Sequence, residues 1–518
     1  MKNILSNKIK TAFVAVAMIG ATSCEVTDLQ PANIIPDAEA FADANRVNAA
    51  VLGIYEAAQR GFYLGAVQRG YPFGAASTQQ GDMRGEDMYN DQLFYEITYT
   101  NGQNPNTANN NGQWISLYRM INRANIVIEN LDIALEAGAI TQEQRDGYLG
   151  EALFLRALAH HELVIYFSRP YSDDPSAMGI PYRTFPINDV SRVAEGEAVG
   201  RGTVQGVYDQ LLEDLDAAEG LLSPDGNAFR ATQGAAIALK ARIKLHMEDW
   251  NGVLTEYNKI AGDYAVTADP LEPFRNGTSS DNIFSFENTE ASNAGVNGAL
   301  ATMYGNPANG ARGLVKISPL IWRADFWHPE DLRRTDETTE GEGMVSSGPL
   351  GIFTYKYTDA STYSDPTVII RFSEIVLAAA EAQARLSPTI PSASAITLLN
   401  SVRDRALPAS VPSYTALDFL NTDALIEAII NERRIEFLAE GRRWPDIHRL
   451  SGEGRMAGIP DKAASRSVNN LDFYTTDREI LLDHSLEYSD DLFIWPIPLE
   501  EILTNTSNPL PQNPGYSG

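Results

Sequence analysis

A helical period of apolar residues, laced with alanine, returns along this chain in paired stretches, and it restricts the fold more than any other feature. Trp114 to about Ala137 and Thr141 to about Phe167 form the first such pair. Thr203–Leu222 with Thr232–Met247 follows, then Trp250–Ala261, and later Arg371–Leu386 with Ser392–Ala406. In each, apolar residues recur three and four positions apart, the spacing of one buried helix face. Ala152, Ala157 and Ala159 sit among Leu153, Phe154, Leu155 and Leu158, and side chains this small let two helix axes approach closely. A first helix begins near Asp37, which suits an N-cap, with Phe41, Val47, Val51, Leu52 and Tyr55 on one side. The fold class expected is mainly α.

Two blocks break the pattern. From Gly61 to Gln113, aromatics such as Tyr71, Tyr89, Phe94 and Tyr99 are interleaved with Gly, Asn and Gln, ending in the low-complexity run Asn101–Gln113. This reads as long surface loops, which in compact domains are usually functional or disordered. Gly262–Ile370 is the second block, with short strands expected at Asp281–Glu287 and Gly351–Tyr357, and Tyr304, Trp322, Phe326 and Trp327 between them. The helix–turn–helix recurrence itself resembles degenerate tetratricopeptide units, irregular in spacing. The organisation expected is one domain over residues 37–518. Its helical scaffold lies at about 37–60, 114–261 and 371–450, and its loop-rich ligand blocks at about 61–113 and 262–370. That is the layout of a binding protein.

The amino terminus carries an address. Lys2, Lys8 and Lys10 precede an apolar run from Ala12 to Ile19, and small residues then lead to Cys24. A basic start, a short apolar middle and a small-residue exit make a secretory signal over residues 1–23. The run is too short to span a bilayer, which takes about 20 residues. Cys24 is the single cysteine, so no internal disulfide forms and stability must come from the core. Following Ala21-Thr22-Ser23, it resembles a bacterial lipobox, which implies cleavage before Cys24 and acylation of its thiol; the alternative is an ordinary cleaved signal with a chance cysteine nearby. Residues 24–36, polar and proline-flanked, suit a tether. The formal charge of −28 repels phosphate backbones and argues against a nucleic-acid partner. Loss of the signal removes three lysines and no acids, making the mature chain more acidic still.

Catalytic patterns are weak. His160-His161-Glu162 lacks the second histidine of a helical zinc site, and the six histidines nowhere adopt ligand spacing, so no catalytic metal is expected. Gly200-Arg201-Gly202 with Gly206 misses the dinucleotide spacing. The charged string Glu432–Arg443 reads as an ion-pair network fixing a helix over Thr422–Glu440, with Arg433 and Glu436 able to pair and Gly441 fitting the position past the helix end. A carboxylate dyad stays open, because 68 acids make chance pairs unavoidable.

The same string, Glu432-Arg433-Arg434-Ile435-Glu436-Phe437 through Glu440-Gly441-Arg442 to Asp446, resembles the carboxy-terminal signature of SusD/RagB-family lipoproteins. The resemblance continues at Trp495-Pro496-Ile497-Pro498 with Glu500 or Glu501, and at Gln512-Asn513-Pro514-Gly515-Tyr516. Arg371-Phe372-Ser373-Glu374 with Ala380-Glu381-Ala382, Asn400-Ser401-Val402-Arg403 and Gly53-Ile54-Tyr55 also fit, all in family order. The resemblance implies four tetratricopeptide-like helix pairs with inserted ligand loops. It implies a lipid-anchored protein of the outer membrane, facing the cell exterior. It also implies non-catalytic capture of a nutrient, commonly an oligosaccharide, for a SusC-like TonB-dependent transporter. A secreted glycoside hydrolase and a tetratricopeptide scaffold without a small ligand are the alternatives. Sugar rings pair an apolar C–H face with a polar rim, so flat aromatics beside polar groups suit them. Trp322, Trp327, Tyr304, Tyr89 and Tyr99 are the expected platforms, with Arg84 and Asp87 as polar partners. Core packing is the competing reading for each ring. Asp82, Glu86 and Asp87 are alternatively a structural calcium site, without EF-hand spacing.

Overall fold

The computed structural model describes residues 37–63, 66–67, 69–90, 92–337 and 342–517; the signal, Cys24 and the tether lie outside the described residues. The longer helices are α1 (Ala44–Arg60), α2 (Ala75–Met83), α3 (Ala108–Glu136), α4 (Gln142–Phe167), α5 (Val204–Leu221) and α6 (Gln233–His246), followed by α7 (Trp250–Ile260), α8 (Phe372–Arg385), α9 (Ala393–Arg403), α10 (Thr422–Glu436) and α11 (Arg443–Gly452). α1 packs on α3, α3 on α4, and so on through α9, so that α1/α3, α4/α5, α6/α7 and α8/α9 form a stack of four pairs with α10 against α8. Short antiparallel ladders supplement it: β1 (Met88–Asn90) with β3 (Val315–Ile317), β2 (Asn282–Phe286) with β6 (Thr367–Arg371), and β4 (Val345–Gly348) with β5 (Gly351–Thr354).

Helix starts follow side-chain chemistry. Thr141 accepts from the backbone N–H of Gln144, whose side chain returns to the Thr141 N–H, a reciprocal cap. Thr203 and Thr232 cap α5 and α6 the same way from one side. Asp37 heads only a short turn, Asp37–Ala40; the cap of α1 is Asp43, which accepts from Arg46 N–H at 3.0 Å. α3 starts at Ala108, inside the run read as loop. Its polar first turns are buried against α2, where Gln80 donates to the Asn109 carbonyl and Gln113 to the Ser77 hydroxyl. α10 stops at Glu436, four residues before the expected end, with Ala439 and Gly441 both at positive φ. Gly81 of α2 lies so close that a Cβ there would sit 2.3 Å from the Gly441 carbonyl oxygen.

The blocks read as surface loops are instead a second core. Residues 70–90 are almost entirely buried, and Tyr71, Met83, Met88, Tyr89 and Tyr99 pack with Tyr304, Ile317, Trp327, Tyr357 and Phe473. α10 joins the cores: Ile429, Ile430 and Phe437 enter the helical core while Ile435 and Leu438 enter the second. The carboxy-terminal segment threads back to early helices. Trp495 stacks on Tyr166 with centroids 4.4 Å apart and donates its backbone N–H to the Tyr166 carbonyl, and Asn513 donates to the Phe167 carbonyl. Glu501 receives the Trp114 indole N–H at 3.1 Å.

Three imidazoles meet inside the helical layer: His161 of α4, His246 of α6 and His448 of α11, with ring centroids 5.2 and 6.5 Å apart along the series. Burial holds all three below the ordinary imidazole value, His448 at about 4, with its Nε2 against the Ser168 carbonyl at 2.9 Å. Between pH 6.5 and 4 the unfolded chain takes a proton at this position that the folded chain refuses. Stability therefore falls as pH drops through that window, by about 3 kcal/mol for His448 alone. Urea midpoints measured across it should fall more gently for His448→Gln, and an unchanged slope would refute the assignment.

Candidate functional site

The carboxy-terminal charged string forms a buried ionic cluster that clamps both cores. Glu436 pairs with Arg371 from the end of β6 (2.8 Å), Arg405 just past α9 (2.5 Å) and Arg333 from the second core's side (2.9 Å). Burial would raise this carboxylate, but Arg405, Arg371 and Arg333 more than reverse that and hold it well below the usual range. Arg333 also binds Asp331 and Glu432 (2.7 and 2.6 Å), and Glu440 takes Arg371 and Lys356 (2.9 and 2.7 Å). Arg433 reaches Asp446 on α11 at 2.9 Å rather than Glu436, correcting the pairing expected from spacing. Every one of these carboxylates is met by a buried guanidinium or ammonium group, the arrangement of a structural ion-pair network.

One aromatic edge of the second core reaches the surface beside this cluster. Trp322 and Phe326 are half-buried. Arg334, adjoining the clamped Arg333, lies over the Trp322 ring at 4.3 Å and donates to the Trp327 carbonyl at 2.7 Å. It forms no ion pair with a carboxylate among the described residues. Arg434 lies over Phe326 at 5.0 Å. Trp327 and Tyr474 meet Trp322 edge-on, with centroids 5.4 and 6.4 Å away. The result is a fixed indole with part of its surface in solvent and a guanidinium over its ring, a pairing that fits a sugar's apolar face and hydroxyl rim.

The other expected platforms are inside. Tyr89, Tyr99 and Tyr304 are 0% exposed and Trp327 is 2%, so none offers a ring face to a ligand in this conformation. Their hydroxyls serve the fold instead: Tyr99 donates to the Ala463 carbonyl (2.6 Å), Tyr304 to Asp82 (2.5 Å), and Tyr89 accepts from Val468 N–H (3.1 Å). Arg84, also 0% exposed, lies 3.9 Å over the Trp444 ring and donates to the Phe493 carbonyl; burial lowers it to about 10. Asp87 is bound by Arg434 at 2.6 Å. The three carboxylates read as a calcium alternative are taken up by protein partners. Asp82, pushed to about 7 by burial, takes the Tyr304 hydroxyl and Gly441 N–H, Glu86 takes Arg443 and Arg434, and Asp87 takes Arg434. Among the described residues no group of three or more His, Cys, Asp or Glu side chains could hold a metal ion. Sequence reasoning missed Arg334, Phe326 and Tyr474; no local pattern links Tyr474 to Trp322.

Glu436→Gln removes the charge shared by three buried guanidiniums. It should cost about 3–5 kcal/mol of unfolding free energy in a denaturant titration, far beyond a surface substitution.

Two family models match the chain: the SusD family over residues 333–516, and one described as starch-binding associating with outer membrane over residues 58–245. SusD-like protein P2 of Formosa agariphila is 25% identical, covering 78% of this chain and 80% of its own length. A SusD superfamily structure from Bacteroides fragilis superposes with TM-score 0.73 at 27% identity, covering 90% of this chain and 98% of that one. A SusD-like carbohydrate binding protein from Bacteroides vulgatus shares the fold, with TM-score 0.72 at 19% identity over 92% of this chain and 100% of that one.

Proposed function

Because the chain belongs to the SusD/RagB family, we propose that it is a non-catalytic outer-membrane surface protein that captures an oligosaccharide and passes it to a SusC-like TonB-dependent transporter. Three things support the reading: the family model described as starch-binding, the likeness to a carbohydrate binding protein from Bacteroides vulgatus, and the Trp322–Arg334 edge, which carries it. A half-buried indole, packed edge-on by Trp327 and with the Arg334 guanidinium over its ring, offers a sugar its remaining solvent-facing surface with hydrogen-bond donors beside it. Acylation of Cys24 would keep the protein beside its transporter, where capture can be weak per site and still effective. The second core is the proposed ligand lobe, and the helical stack the proposed transporter-facing side.

The test is affinity electrophoresis against a polysaccharide panel, with the products assayed for new reducing ends. Retardation without reducing-end release is expected, and release abolished by mutating a single carboxylate would establish the hydrolase alternative. Trp322→Ala should weaken retention by roughly 2 kcal/mol, about thirtyfold in Kd, with an unchanged Tm. Trp327→Ala should instead lower Tm, since its ring is core. Indifference of all retention to Trp322→Ala would sink the assignment. Mass spectrometry of the native protein should find an acylated Cys24 at the mature start.

A further inference from the structure

A second cleft, of about 430 Å³, opens against α1. Its walls come from three separate segments: Leu52, Tyr55 and Gln59 of α1, Phe229 and Arg230 before α6, and Glu287 after β2, over a buried floor at Phe286. We propose that this cleft is a second carbohydrate site, distinct from the Trp322 edge, which takes a short neutral glycan segment.

The walls are held in place before any ligand arrives. Arg230 binds Glu151 through two nitrogens at 2.5 and 2.6 Å, and the Tyr55 hydroxyl donates to the same carboxylate. The Arg230 guanidinium also lies 5.2 Å over the Tyr55 ring. Phe229 is half-buried with its ring tip on the backbone of Gly277, where a Cβ would fall 2.3 Å from the ring. Its N–H is fixed by the Asn227 side-chain oxygen at 2.9 Å, leaving that amide's NH₂ group for other partners. Gln59 donates to the carbonyls of Glu287 and Ser292, tying α1 to the far rim. The site thus presents a rigid aromatic surface and an exposed leucine, 44% accessible, among polar groups, within the usual size range of ligand clefts.

The charge pattern selects the ligand. The cleft's one cation, Arg230, is already neutralised by Glu151. Glu287 is exposed and has no cationic partner among the described residues, and Glu56 sits at the rim with Arg123 at 2.7 Å. A sulfated or uronic-acid segment would meet carboxylates with no free guanidinium to receive it. Adjacent hydroxyls of a neutral sugar can donate in pairs to the two oxygens of Glu287 while its C–H face lies on Phe229.

The full-length protein and its Trp322→Ala variant should be titrated calorimetrically with maltohexaose, xylohexaose, mannohexaose and an oligogalacturonide of equal length. At least one neutral probe is expected to bind the Trp322→Ala protein, and adding Phe229→Ala should weaken that binding at least tenfold. Phe229→Leu, which keeps most of the packing but removes the flat face, should weaken it as well while leaving Tm unchanged. Absence of any Phe229-dependent binding across the neutral probes would overturn the proposal, as would tighter binding of the oligogalacturonide. The inference rests on residues apart from Trp322, so a protein indifferent to Trp322→Ala yet sensitive to Phe229→Ala would sink the earlier reading and keep this one.

Discussion

Glu436 holds this protein's two halves in register. A carboxylate taken out of water is costly, and so are the guanidiniums of Arg371, Arg405 and Arg333 that surround it; the arrangement is tolerable only because each meets opposite charge at hydrogen-bond distance. Its members come from the end of a strand, the exit of a helix and a turn on the second core's side. The stack of helix pairs and the second core therefore cannot shift relative to one another without parting buried charges. The aromatic edge inherits this precision. Arg333 is fixed by three carboxylates, the next residue is Arg334, and Arg334 lies on Trp322.

The helical stack was legible because its information is local. Apolar spacing gave the helix faces, and Thr141, Thr203 and Thr232 gave starts correct to a residue. The same spacing flagged Glu432–Arg443 as ionic, and the cluster is there, although its partners are not the neighbours on the helix. Arg443 meets Glu86 and Arg434 meets Asp87, both across the chain from the amino-terminal block. Pairings of that kind leave no periodic trace.

The same blindness explains why Tyr89, Tyr99 and Tyr304 read as surface rings. Their neighbours in sequence are Gly, Asn and Gln, the composition of loops, yet each hydroxyl has a protein partner that only the folded chain supplies. Polar residues go inside when their hydrogen bonds are met there, as for Asn125 of α3, whose amide donates to the Arg183 and Phe185 carbonyls and accepts from Arg156. Trp322 is the nominated ring that keeps contact with solvent, and what sets it apart is Arg334, twelve positions on, rather than any feature of its own surroundings.

The return of the last residues to the first helices bears on how such a chain is made. Until Trp495 stacks on Tyr166 and Asn513 caps the Phe167 carbonyl, the Tyr166 and Phe167 carbonyls at the end of α4 lack the protein donors that meet them in the fold. A nascent polypeptide that has not yet reached residues 495–513 is thus short of groups that cover the end of α4, so this part of the core closes only after they are made.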